Sequence, residues 1–220
     1  MSLHEDQELK KEFQVERLAL FSDAVFAIAI TLLIIEVKIP ELHAPFTDHH
    51  LLEILAGEMV AKFIGFIVSF LVISVYWVSH HTLFGYLTNY NKRLVWSNLY
   101  FLFTIVLMPF SSGFYSEYWM SSLVTPTAFY AINLTLSGIT LTRLWRVVSN
   151  PKNGLASTPP SSRKVSYYKT RAVVAPGVFL LGLAIAFVKP NISYFIPLGI
   201  PIVLAFIKMY YRKREPGIDI

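Results

Sequence analysis

One uninterrupted apolar run, Arg17 to Val37, RLALFSDAVFAIAITLLIIEV, constrains everything this chain can become. At about 1.5 Å per helical residue, twenty residues span roughly 30 Å, the thickness of a bilayer's hydrocarbon layer. The run nevertheless carries Ser22, Asp23, Thr31 and Glu36. A polar group in hydrocarbon is costly and persists where it has a partner or a task. The stretch therefore predicts a membrane helix that turns different faces to different surroundings. What precedes it is of mixed charge, and the run is long and has no small-residue cleavage site. It is expected to remain as a span rather than to be removed as a leader.

Composition agrees. The 220 residues are 55% hydrophobic, with a mean hydropathy of +0.53, which points to an integral membrane protein. The absence of cysteine excludes disulfides, thiolate catalysis and Cys-based metal sites. Six spans are predicted, at about 17–38, 57–85, 94–115, 124–148, 170–188 and 192–211, in a single domain over 1–220. Residues 1–16 read as a short amphipathic lead-in helix or a tail. Pro40 is expected to end the first helix, and 40–56 to form a loop holding His43, His49 and His50. Pro109 should kink the third helix, and 149–168 reads as a Ser-, Pro- and Lys-rich linker. Pro197 and Pro201 fall in the first turns of the last helix.

Six spans put both termini on one side, and charge gives that side a name. Of the 19 Lys and Arg, only Lys38, Lys62 and Lys189 fall on the opposite side. Such asymmetry fits the positive-inside rule with both termini and the 149–168 linker in the cytoplasm. The net charge of +5 is thereby accounted for by topology, leaving nucleic-acid binding without support.

Asp23 lies six residues, about 9 Å, further into the membrane than Arg17. A carboxylate there needs a donor. His80 and His81 at the end of the second span, and Trp96 and Asn98 at the start of the third, stand at the same depth and can converge on Ser22 and Asp23. Two readings follow: a structural network that orients helix one, or a direct role in ion or proton passage. The histidines fall as the adjacent pairs His49-His50 and His80-His81, an arrangement that makes no credible metal cluster.

Advancing about 100° per residue, Ala24, Ile28, Thr31, Leu32 and Ile35 share one stripe of helix one, and Asp23 falls on about the opposite side. The stripe either meets lipid or another helix, or several copies of it surround an axis. In the second case hydrophobic constrictions would be interrupted by a ring of Thr31 hydroxyls; such necks gate by dewetting, and hydroxyls replace part of an ion's hydration shell. Glu36 would then form an outer acidic ring, or sit in the headgroups.

The pattern Arg17-x-x-x-Phe21-Ser22-Asp23, continued as Ala24-Val25-Phe26-Ala27-Ile28 and Thr31-Leu32-Leu33, resembles the signature of the transmembrane protein 175 family. These are the endosomal and lysosomal potassium channels of animals and their prokaryotic relatives. Trp77-x-x-His80 and Asn98 also match family positions, so the resemblance covers roughly 17–115. Animal members hold two six-helix repeats per chain; this chain has one set, like the prokaryotic members. The resemblance implies a homotetramer in which helix one lines a central pore. It implies hydrophobic constrictions at Ile28, Leu32 and Ile35 and a selectivity layer at Thr31. It further implies that Arg17, Phe21, Ser22, Asp23, Trp77, His80 and Asn98 hold the pore helix in place.

No Thr-Val-Gly-Tyr-Gly filter is present, since Phe84-Gly85-Tyr86 is a chance fragment, so strong K⁺ over Na⁺ selectivity is not expected from a carbonyl cage. There is no Arg ladder, phosphate-binding loop or catalytic motif. Asn191-x-Ser193 fits a glycosylation tripeptide but carries little weight alone. The expectation is an all-α, six-helix membrane protein of the cell membrane, not an enzyme, without a cofactor. Its partners are its own copies, the bilayer and permeant monovalent cations, K⁺ first, and it conducts passively as a leak channel. The alternatives are a proton-coupled or small-solute transporter using Asp23 and His80 as a relay, and a non-conducting membrane scaffold.

Overall fold

The computed structural model is all-helical and describes residues 3–39, 47–118, 121, 123–193 and 195–214. The first helix, α1 (Leu3–Ile35), is one rod that continues from the polar lead-in into the apolar run. It ends at Ile35, short of Lys38; Pro40 and the loop residue His43 lie outside the described residues. Buried Val15, Ser22, Phe26, Ala29 and Leu33 recur every three to seven residues along one face of α1, as expected of a helix with one inward stripe.

The expected loop is partly helical. Thr47 is an N-cap whose Oγ1 accepts the His50 N–H at 3.2 Å, starting α2 (Asp48–Ile54), and a π-helical turn, Leu55–Met59, joins it to α3 (Val60–Phe84). Thr47 followed by Asp48 is a helix-start signal of the sequence, a hydroxyl acceptor followed by an acid in the first turn. Asn91 caps α4 (Lys92–Val106) in the same way, accepting the Leu94 N–H at 2.9 Å. The predicted kink divides the third span at Leu107, and Pro109 stands in the first turn of α5 (Met108–Glu117). Lys62 and Glu117, 2.9 Å apart, tie the start of α3 to the end of α5.

Next come α6 (Thr125–Ser149), α7 (Ser162–Ala172), α8 (Val174–Ala186), the single turn α9 (Pro190–Ser193) and α10 (Ile200–Arg214). Two expectations are corrected here. The linker is shorter than 149–168, because Ser161 caps α7 by accepting the Lys164 N–H. The last span does not run unbroken from 192: a 3-10 turn, Ile196–Gly199, precedes α10, with Pro197 and Pro201 at the two starts.

The predicted fifth helix is likewise broken at Val173. Pro176 has no N–H to offer the carbonyl four residues back, Ala172. The freed carbonyl receives the Tyr76 hydroxyl from α3 at 3.3 Å. Gly138 of α6 passes so close that an added Cβ would lie 2.6 Å from the same oxygen. A proline defect, a tyrosine donor and a glycine thus lock three helices together, as broken backbone at membrane depth requires.

Among the described residues, four stretches are long and apolar enough to cross a membrane: Glu8–Ile35, Lys62–Phe84, Lys92–Glu117 and Ser162–Ala186. Helix α6 has the length, at 25 residues; it packs one face against α4, α5, α7 and α8 and leaves Phe129, Ile132, Leu136 and Ile139 exposed on the other. Its buried Thr127, Asn133 and Ser137 are met by protein instead of lipid. Asn133 donates to Ser111 at 2.9 Å, Trp145 donates to Ser79 at 2.9 Å, and Ser69 bonds both Ser112 and Tyr130, at 2.5 and 2.7 Å. Such cross-helix bonds and small side chains replace the hydrophobic drive that lipid cannot supply between helices.

Candidate functional site: the two faces of helix α1

The inward face of α1 meets α3, α4 and α5. At its polar point a single-file chain of donors forms. His80 Nε2 lies 2.8 Å from Asn98 Oδ1, Asn98 Nδ2 donates to Ser22 Oγ at 2.9 Å, and Ser22 donates to the Leu18 carbonyl at 2.7 Å. Because the Asn98 amide nitrogen faces Ser22, its oxygen faces His80, and Nε2 must carry the hydrogen. All three side chains are buried, at 2% exposure or less. Phe84, Phe101 and Phe26 surround the His80 ring at 4.0, 5.8 and 5.5 Å between centroids.

Asp23 stands beside this chain on a separate branch. Its Oδ1 accepts the Trp77 indole N–H at 2.9 Å. Trp77 in turn stacks on His81, one helical turn away, at 5.3 Å. The sequence assigned His80 to the network, and the structure ties it to Asn98. Among the described residues no direct hydrogen bond joins His80 to Asp23; they belong to two separate branches.

Three expected members stand apart. Arg17 and Phe21 are exposed on α1, and Arg17 lies over the Phe13 ring at 5.8 Å. The reason is helical geometry: Arg17 and Asp23 are six residues apart and so point about 120° apart. Trp96 is 58% exposed and packs against Tyr100, away from Asp23.

The stripe on the other side of α1 is largely uncovered. Ile28, Leu32 and Ile35 are 59%, 41% and 67% exposed, and Ala24 and Thr31 are exposed with them. The Thr31 hydroxyl donates back to the helix, to the Ile28 and Ala27 carbonyls at 2.9 and 3.0 Å. With its hydrogen occupied, the oxygen turns lone pairs outward, which suits a cation better than an anion. Glu36 does not continue the stripe. It is turned about 80° from Ile28, and its carboxylate rests against Gly113 of α5, where any side chain would collide with it. This glycine was missed in the sequence, where only its position opposite the end of helix one could have drawn attention to it.

With the geometry in view, the likeness to known proteins can be placed. Residues 17–109 match the family described as endosomal/lysosomal potassium channel TMEM175. A potassium channel of Streptomyces collinus is 33% identical over 131 residues, 59% of this chain and 62%, less than two thirds, of that protein. One from a Chryseobacterium species is 28% identical over 198 residues, covering 90% of this chain and 94% of its own. The crystal structure of a lysosomal potassium-selective channel TMEM175 homologue from Chamaesiphon minutus superposes with a TM-score of 0.69 at 25% identity. It covers 91% of this chain and 99% of its own. The matched segment contains both faces of α1 and the whole His80–Asn98–Ser22 and Trp77–Asp23 arrangement.

Proposed function

We propose that this chain, which belongs to the TMEM175 potassium channel family, forms a homotetramer in which four copies of α1 surround a central pathway for K⁺. One observation carries the proposal. The bundle anchors one side of α1 through buried hydrogen bonds and leaves a nearly apolar stripe with a single hydroxyl uncovered. A helix held so firmly on one side and bare on the other is suited to border something shared between copies.

In this assembly Ile28, Leu32 and Ile35 form hydrophobic constrictions. Water leaves so narrow an apolar neck readily, which stops ions until the neck widens. The four Thr31 oxygens, their hydrogens turned into the helix, offer a ring of acceptors to a partly dehydrated cation. Conduction is passive and needs no cofactor, with K⁺ as the permeant ion. Selectivity over Na⁺ comes from a hydroxyl ring rather than a carbonyl cage and is correspondingly modest. The anchor residues Ser22, Asp23, Trp77, His80 and Asn98 fix the rotation of α1, so that the right residues face the axis.

The membrane arrangement proposed with it has six spans: α1, α3, α4–α5, α6, α7–α8 and α10. Both termini lie on the cytoplasmic side of the cell membrane, as the distribution of Lys and Arg favours. The test is purified full-length protein reconstituted in planar bilayers, with its oligomer mass measured in detergent. A tetramer with ohmic K⁺ currents is expected. Saturating flux coupled to pH would favour the transporter alternative, and a tetramer silent under all conditions would favour a scaffold.

A further inference from the structure

We infer that Glu36 and Gly113 of α5 form a latch that holds the outer end of α1 back against its own bundle and so sets the opening of the neck at Ile35. The latch itself is a matter of packing; its effect on the neck rests on the proposed pore. Glu36 follows the last residue of α1 directly. An acid at a helix C-terminus opposes the helix dipole, so the helix end supplies no reason for it. Its surroundings do. A Cβ on Gly113 would fall within 3.0 Å of three Glu36 atoms, Oε2, Cδ and Cγ. The space left by the missing side chain of α5 is the space the carboxylate occupies. A cavity of about 170 Å³ opens beside it, bordered by Lys38, Phe110, Phe114, Glu117 and Tyr118. The side chain is thus packed on one side and free to leave on the other.

Both halves of the latch are braced. On α1 a tight turn follows the helix, with the Val37 N–H donating to the Ile34 carbonyl and the Lys38 N–H to the Glu36 carbonyl, each at 3.1 Å. Glu36 therefore moves with Ile35. On α5, Glu117 is tied to Lys62 at 2.9 Å and Ser112 to Ser69 at 2.5 Å. Gly65 of α3 comes so near that an added Cβ would lie 3.0 Å from the Ser116 Cβ. The inner anchor at Asp23 is thirteen residues, about 20 Å, away along α1. Between the two points buried Phe26, Ala29 and Leu33 face the bundle, and apolar packing is not directional. Two fixed points set the tilt of a rod as well as its rotation, and Ile28, Leu32 and Ile35 lie between them. Glu36 is turned toward the bundle, so a latched end is drawn away from the axis. A released end lets the apolar Ile35 side chains of neighbouring copies close on one another and expel water.

The test compares Gly113→Ala, Glu36→Ala, Glu36→Gln and the double variant Gly113→Ala/Glu36→Ala in the full-length protein. In Gly113→Ala only the far end of a flexible side chain is displaced, so the fold should survive while the carboxylate is evicted. Hydrogen exchange in nanodiscs reads the latch without any current. Gly113→Ala and Glu36→Ala should each speed exchange of residues 29–35 severalfold and leave residues 17–27 at wild-type protection. The double variant should exchange no faster than Glu36→Ala, because no carboxylate remains to evict. Glu36→Gln keeps the shape without the charge and should stay close to wild type. Unchanged exchange in Glu36→Ala, additive loosening in the double variant, or Glu36→Gln as loose as Glu36→Ala overturns the latch. Should Gly113→Ala fail to fold, Glu36→Ala and Glu36→Gln carry the same test. In planar bilayers Glu36→Ala should open less often at unchanged permeability ratios. Open probability equal to wild type overturns the control of the neck. So does a conductance lost in Glu36→Gln, which would assign the acid to an ion-concentrating ring. A wild type without current would sink the pore reading and leave the exchange result standing.

Discussion

The indole N–H of Trp77 reaches Asp23 Oδ1 at 2.9 Å, while the buried His80, three residues on, turns away to Asn98. Helix α3 thus grips α1 at two neighbouring points with two unlike bonds, one to a carboxylate on the rim and one through an amide in the core.

The rim bond predicts a graded series. Asp23→Asn keeps an oxygen for Trp77 and should assemble nearly as well as wild type. Asp23→Ala and Trp77→Phe remove a bond to a charged group that is partly exposed, costing about 1 kcal/mol each. Their yield of folded oligomer should fall more than their current per channel. A well-assembled Asp23→Ala with its current selectively abolished would instead place Asp23 in the permeation path.

The core bond should matter more. Asn98→Ala strands the buried His80 Nε2 and removes the donor to Ser22 Oγ, which keeps only its bond to the Leu18 carbonyl, at about 1–3 kcal/mol for the unsatisfied group. Thermal unfolding followed by size-exclusion chromatography should show the largest loss among the anchor variants. A midpoint unchanged from wild type would remove Asn98 from the anchor.

At the neck, Ile28→Asn replaces an apolar side chain with one that holds water. Single-channel conductance should rise severalfold. Equal currents from wild type and variant would exclude Ile28 from the gate.

Thr31→Val keeps the shape and deletes the outward oxygen. Permeability ratios among K⁺, Na⁺ and Cs⁺ should converge, whereas Thr31→Ser should keep them. Ratios unchanged in Thr31→Val would argue against a hydroxyl ring.

Away from the pore, Gly138→Ala would set a Cβ 2.6 Å from the Ala172 carbonyl oxygen, a backbone atom that the Tyr76 bond also holds. The overpacking should cost about 1–3 kcal/mol, read as a lowered unfolding temperature without a change in selectivity. Tyr76→Phe should lose about 1 kcal/mol by stranding the same carbonyl.

Residues within one helix are related by a fixed rotation of about 100° per position. That is why the division of α1 into an inward face and a bare stripe could be read directly from the letters. Pro109 announced its kink, and the lone Asp23 in an apolar run announced the need for a donor. The same rotation places Arg17 and Phe21 on the stripe side, within about 20° of Ile28, so their separation from the network is also written in the sequence.

The chemistry of the first span, its length and its two faces were set by the sequence alone, because they depend on local periodicity and on the cost of polar groups in hydrocarbon. Tertiary structure decided which donor met which acceptor. His80 went to Asn98 and Trp77 to Asp23, Trp96 was left outside, and the carbonyl freed by Pro176 was closed by a tyrosine and a glycine from two other helices. Those pairings depend on how far each helix is rotated and shifted against its neighbours. Many side chains packing at once fix that register, and no single stretch of chain encodes it.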